Sequence, residues 1–264
     1  MKFLFGIIFL ISVNATAQVN SGARFTAMAS TGVSISDLWS VHQNQAGIAT
    51  VKRLSLAIAF EKPFTGYDLS SQSVALIMPL QSNVFGLSVQ QYGNASYRYQ
   101  KAGFSYAKSF GGKLLTALTF NYHGLKIDNY GSAQFYSVEA GMQYRTNRAL
   151  SVGAHVTTPG LRNPSRDISF PLRTRVQVGA SYRFSEKVLL AMTIDKPLRE
   201  KVDARTGAEY QIVRMLALRG GFSANPFRQY GGFGIKFKAL NMDLSVSSQP
   251  IVGYSPQIAI SYEM

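Results

Sequence analysis

Cysteine is absent from this 264-residue chain. That excludes a disulfide scaffold, a cysteine-ligated zinc or iron–sulfur site and a cysteine nucleophile. Histidine is nearly absent: His42, His123 and His155 are the only three, too few for a histidine-rich metal centre. Tryptophan occurs once, as Trp39. Acidic residues are scarce, 13 against 27 Lys and Arg, and the formal net charge is +14. Charged residues make up only 15% of the chain and aromatics 12%, a balance that excludes a disordered charged polymer. No stretch reaches 18 consecutive apolar residues, so no transmembrane helix is expected. Gly-x-Ser-x-Gly, Walker A and His-Glu-x-x-His motifs are missing, which gives no enzyme, no cofactor site and no metal site.

What is present starts with an address. Lys2 precedes an apolar stretch over residues 3–13, and Ala15-Thr16-Ala17 follows the small-x-small cleavage rule. Residues 1–17 therefore read as a secretory signal peptide, its apolar stretch well short of the ~20 residues that cross a bilayer.

The rest of the chain alternates with period two. Over 173–184, Thr174, Val176, Val178, Ala180, Tyr182 and Phe184 fall on one face, and Arg173, Arg175, Gln177, Gly179, Ser181 and Arg183 on the other. Fourteen such segments lie near 53–60, 71–79, 83–92, 97–108, 113–124, 134–145, 149–158, 173–184, 187–195, 201–212, 214–224, 231–238, 241–249 and 256–264. Short connections alternate with longer ones. The pattern predicts an all-β fold, a transmembrane antiparallel up-and-down β-barrel of about 14 strands over 53–264, in the bacterial outer membrane with both termini periplasmic. Tyr106, Phe110, Tyr122, Tyr144, Tyr182, Phe184, Phe237 and Tyr262 stand at strand ends, where an interfacial aromatic girdle belongs.

Residues 18–52 do not alternate. Gly22-Ala23-Arg24 leads into small residues, then an Asp37-centred turn, Trp39, and Asn44-Gln45-Ala46-Gly47 ahead of the first strand. This segment resembles the N-terminal signature of FadL-like barrels, in particular the PorV/PorQ family of the Bacteroidetes outer membrane: Gly-x-Arg, small residues, an Asp turn, and Asn-Pro-Ala-Gly. Gln45 stands where that family has proline. The resemblance implies a plug-like segment inside or beneath the barrel, with Gly22, Arg24, Asp37, Trp39, Asn44, Ala46 and Gly47 shaping it. These residues either form turns into the first strand or touch a ligand.

By the same alternation the lumen receives Glu139, Arg145, Arg173, Arg175, Arg183, Arg205, Glu209 and Arg219. Pairs are expected between Glu139 and His155, and among Arg205, Glu209 and Arg219. Asp195 and Glu200 read as solvated loop acids. Rim cations such as Lys52, Arg53, Lys126 and Arg228 are suited to lipopolysaccharide phosphates or a protein partner; nucleic acid is excluded by the signal peptide and the barrel. Two functions follow. The PorV/PorQ resemblance implies a non-enzymatic accessory or scaffold of an export machine of the type IX secretion kind, inside a larger outer-membrane protein complex. The alternative is a FadL-like channel for a hydrophobic ligand, with an apolar cavity at Phe25, Trp39 and Phe135 and a strand kink at Gly231, Gly232 and Gly234.

Overall fold

Leu56, Ile58 and Phe60 of the first strand, β1 (Ser55–Glu61), are exposed, while Ser55, Ala57 and Ala59 are buried. That inversion, with large apolar side chains outward and small or polar ones inward, repeats around the molecule and is what a barrel in lipid requires. The computed structural model describes residues 22–162, 174–198, 200–249 and 253–264. The signal-peptide expectation and Arg173 lie outside them.

The remaining strands are β2 (Ser70–Leu80), β3 (Asn83–Gly93), β4 (Tyr97–Phe110), β5 (Leu114–Ile127), β6 (Gly131–Arg145), β7 (Leu150–Arg162), β8 (Arg175–Arg183), β9 (Val188–Pro197), β10 (Asp203–Val213), β11 (Leu216–Ala224), β12 (Phe227–Phe237), β13 (Leu240–Gln249) and β14 (Gly253–Glu263). Each pairs antiparallel with its neighbours in sequence, and β1 pairs with β14, Ser55 opposite Glu263, to close the barrel. Closure leaves no unpaired edge, the condition for strands in a membrane. The fourteen alternating segments of the sequence match these strands one for one. Several begin earlier than the alternation does, β12 at Phe227 and β14 at Gly253, because ladder pairing carries hairpins past the membrane zone into turn-rich sequence. Phe110, Tyr144, Tyr182, Phe184, Phe237 and Tyr262 stand exposed at the end of the barrel with short turns.

Inside the barrel, residues 22–51 fold as a plug. Helix α1 (Ala23–Ala27) is followed by three 3-10 turns, Gly32–Ser34, Leu38–His42 and Gln45–Thr50. Phe25, Met28, Trp39 and Ile48 are fully buried there, so the apolar core of the molecule lies on its axis. Asp37 caps the second turn, accepting from Trp39 N–H while Ser40 Oγ accepts from Asp37 N–H. Asn44 caps the third.

The plug reaches the wall through missing side chains. A Cβ on Gly207 would lie 2.7 Å from Thr31 Oγ1 and 2.8 Å from Met28 Cβ. One on Gly232 would lie 2.7 Å from Ala27 Cβ, and one on Gly221 3.0 Å from Ala29 N. On Gly141 it would collide with Asn44, and on Gly153 with the Val33 carbonyl. Of the glycines at 231–234, Gly232 therefore makes room for the plug, whereas a Cβ on Gly234 would meet Asp243 and Arg219 of the wall and one on Gly231 would meet nothing within 4 Å. The expected kink there is not found, since β12 keeps continuous register with both neighbours.

Gly207 has ordinary strand backbone, and valine suits a strand. The variant Gly207→Val is expected to keep the barrel, read as heat-dependent mobility on a gel, and to unseat the plug. Overpacking of about 1–3 kcal/mol should shift Trp39 emission to the red and open Arg24 to trypsin. Unchanged Trp39 emission would show that this contact does not hold the plug.

Candidate functional site

At the long-loop end, above the plug, the inward face changes character. Tyr99, Leu125, Ala133 and Phe135 form a buried apolar cluster, with Tyr92, Tyr97 and Ile127 packed against it. Cross-strand pairing sets these neighbours together: Tyr92 with Tyr99, Tyr99 with Leu125, Leu125 with Ala133, Tyr97 with Ile127. The rings of Tyr92 and Tyr97 meet edge to face at 6.3 Å. Of this patch the sequence reading named Phe135 alone. Its signal was available, because Tyr97 and Tyr99 share the parity of Lys101 and Ser105.

A polar chain leads from the patch to the plug. The Tyr99 hydroxyl is 2.7 Å from His123 Nδ1, and His123 Nε2 is 2.8 Å from Ser137 Oγ. Asn121 Nδ2 donates to Ser137 Oγ at 3.2 Å and to Glu139 Oε1 at 3.0 Å. Lys101 Nζ donates to the same oxygen at 2.7 Å. On the other side of the carboxylate, Gln45 Nε2 donates to Oε2 at 2.6 Å and His155 Nε2 lies 3.2 Å from it. Glu139 is 3% exposed. A carboxylate buried that deeply requires this much compensation. Gln45, the departure from proline, supplies part of it from the plug.

A second network fixes the start of the plug. Arg24 holds Glu209 with both arms of its fork, Nε to Oε2 and Nη2 to Oε1, each at 2.8 Å, and its Nη1 meets Asp37. Arg219 donates to Glu209 at 2.6 Å and to Asp243 at 2.6 Å. Five charges thus run from plug to β13. Gly22 sits against Trp39: its φ is +82°, and a Cβ there would collide with the indole. Asn44 is fully buried, its Nδ2 donating to Val33 O at 2.7 Å and Met142 O at 3.0 Å. Ala46 is buried, and a Cβ on Gly47 would collide with the Ser40 side chain, 2.7 Å from its Cβ.

The structure departs from several expectations. Arg205 does not join Glu209 and Arg219; it pairs with Asp203 at 2.7 Å and Asp195 at 3.0 Å, because its cross-strand neighbours are Thr193 and Ser223. Asp195 is not a solvated loop acid: it faces inward on β9, 1% exposed, and also takes Arg175 Nε at 2.6 Å. Arg145 and Arg183 face inward at the short-turn mouth without an ion pair among the described residues. Phe25 and Trp39 do not share a cavity with Phe135, which belongs to the separate cluster above. The ladder irregularities lie between Phe135 and Ser137 on β6 and between Gln211 and Val213 on β10.

Two outcomes test this geometry. Asn44 has φ −113° and ψ 99°, extended backbone that a following proline accepts, and proline is tolerated at the first position of a helical turn. Gln45→Pro and Gln45→Ala should therefore cost the same, about 1–3 kcal/mol from the lost donor to a buried carboxylate, in thermal unfolding followed by Trp39. A larger cost for proline would place the constraint in the backbone. Separately, burial, helped by Lys101 and opposed by Glu139, pushes His42 down from 6.5 to about 3. Only an undocked His42 takes up a proton below its ordinary value, so the docked plug loses stability as pH falls through 6.5. The His42 and Trp39 rings are 6.0 Å apart, and imidazolium quenching of Trp39 should be absent in the intact barrel from about pH 8 to about pH 5. A quenching step near 6.5 would mean a solvated His42.

No family model and no curated protein sequence matches the chain. Solved structures do. The fold is similar to that of the CymD monoaromatic hydrocarbon channel, with a TM-score of 0.76 at 12% identity over 94% of this chain and 99% of that one. The toluene transporter TbuX of Ralstonia pickettii gives 0.70 at 15% identity, over 92% and 98%. A FadL homologue of Pseudomonas aeruginosa gives 0.60 at 10% identity, over 92% and 98%. At these identities the likeness is one of fold, a closed 14-strand barrel with a small N-terminal helical segment.

Proposed function

We propose that the chain is an outer-membrane channel for hydrophobic small molecules, with its short-turn end and both barrel termini in the periplasm. The observation that carries this reading is the apolar patch of Tyr92, Tyr97, Tyr99, Leu125 and Phe135 facing into the lumen at the long-loop end. A barrel interior is ordinarily polar, and an inward aromatic surface at a mouth is suited to a hydrocarbon-like ligand. The fold neighbours named as a monoaromatic hydrocarbon channel and a toluene transporter support the same class.

The plug fills the lumen below the patch, so a ligand passes either by displacing it or by leaving sideways. The sideways route is the better supported. The β6–β7 ladder loses register between Phe135 and Ser137, beside the patch, and its β7 side includes Pro159, which has no N–H to give.

A second reading is the accessory barrel of an export machine that the N-terminal signature implied. The observation in its favour is the filled, ion-paired lumen around Glu139 and Glu209. Gentle-detergent purification separates the two, since an accessory barrel brings down a stoichiometric larger membrane protein and a channel comes alone.

The channel reading predicts saturable binding of toluene by the purified barrel. Phe135→Ala should weaken it roughly tenfold, about 1 kcal/mol or more of aromatic contact. Phe120→Ala on the outward face should leave it unchanged. Absence of saturable binding, or equal loss in both variants, would sink the proposal.

A further inference from the structure

The short-turn mouth of the barrel holds two cavities of similar size, one of mixed charge and one cationic. One, of about 670 Å³, is bordered by cations and by Asp37, Glu186, Glu209, Asp243 and Glu263. The other, of about 730 Å³, lies between plug residues 34–36 and the rim from β5 to β9. Lys113, Arg145, Arg148 and Arg183 border it, together with Arg24, whose charge is already committed to Asp37 and Glu209. Among the described residues lining it there is no carboxylate. None of the four rim cations makes an ion pair within the described residues.

Strand parity explains why these charges gather. Arg145 ends the inward row of β6 and Arg183 that of β8, with Ser151 and Ser181 between them on β7 and β8. Like charges held around one cavity repel one another, and no carboxylate among the described residues pairs with them. A separate observation points the same way. Ser34, on the plug and lining this cavity, is 2% exposed, and its hydroxyl has no hydrogen-bond partner among the described residues. A buried hydroxyl left unpaired costs free energy that a bound acceptor recovers.

We propose that this cavity is a binding site for a phosphate-class oxyanion. Guanidinium forks match tetrahedral oxyanions geometrically, Lys113 adds a point charge, and the Ser34 hydroxyl supplies a neutral donor. The bound anion bridges plug to wall, because Ser34 belongs to the first and Arg145 and Arg183 to the second. The site is independent of the channel reading, since it lies at the opposite end of the lumen from the aromatic patch. The phosphate comes either from solution or from a phospholipid headgroup of the adjoining leaflet.

The test is calorimetric titration of the full-length barrel, delipidated in a nonionic detergent, with inorganic phosphate and then pyrophosphate. Saturable one-to-one binding is expected. R145Q/R183Q should weaken it at least about tenfold, whereas K238Q, a turn lysine lying over the exposed Phe237 ring, should not. Ser34→Ala keeps every charge and should weaken binding a few-fold, which holds the test open if the double variant fails to show heat-dependent gel mobility. Native mass spectrometry separates the sources. Phospholipid retained by the parent and lost by R145Q/R183Q assigns the headgroup; phosphate binding without retained lipid assigns the free anion. No saturable heat, or equal weakening by K238Q and R145Q/R183Q, overturns the proposal and reduces the rim to diffuse positive charge.

Discussion

Everything inside this barrel depends on how closely two backbones approach. A ring of fourteen strands leaves an interior too wide for wall side chains alone to fill and too narrow for an independently folded domain. The solution here is subtraction. At the level of the plug the wall presents Gly141, Gly153, Gly207, Gly221 and Gly232, and plug carbonyls and small side chains occupy the room so gained. Asn44 then does what no apolar residue could, using one amide to satisfy a carbonyl of the plug and carbonyls of β6 and β7. Packing and hydrogen bonding at this seam are one constraint, because either a bulkier wall or an unpaired amide would push the segment out.

Charge is organised around that seam. The two buried carboxylates nearest the plug, Glu139 and Glu209, are each met by one wall cation and by one plug residue, Gln45 and Arg24 respectively. The plug is thus part of the solvation of the wall. Removing it would take one partner from each of two buried carboxylates, Gln45 from Glu139 and Arg24 from Glu209, which ties seating to particular residues. Farther up, Arg175, Asp195, Arg205 and Asp203 form a network with no plug member.

The strands were legible because alternation needs no partner to be read. Parity in 174–184 or 134–145 sorted residues into lipid-facing and lumen-facing sets that the structure keeps. The plug segment was visible as a break in that alternation, and its Arg24 and Asp37 do meet. What parity could not supply was stagger. Whether Arg205 lies beside Glu209 or Asp195 depends on register across three strands, which no single strand encodes. Burial was illegible for a similar reason: Asp195 looked like a loop acid because the hydrophobic run ended just before it, yet the ladder continued to Pro197. Lys101 and Asn121 carried no motif, and they matter only because Glu139 lies two strands or fewer away.

The closing pair of β1 and β14 has a consequence for the order in which the molecule can be made. Arg24 finds Glu209 across 185 residues, and the wall that encloses the plug is complete only when the last strand joins the first. Contacts that distant in sequence form late. The plug, which precedes every strand of the barrel in the chain, is therefore among the last segments to reach its final neighbours. Until β14 arrives, the apolar faces of Phe25, Met28 and Trp39 lack part of the wall that covers them, so the open sheet needs protection during assembly that the closed barrel does not.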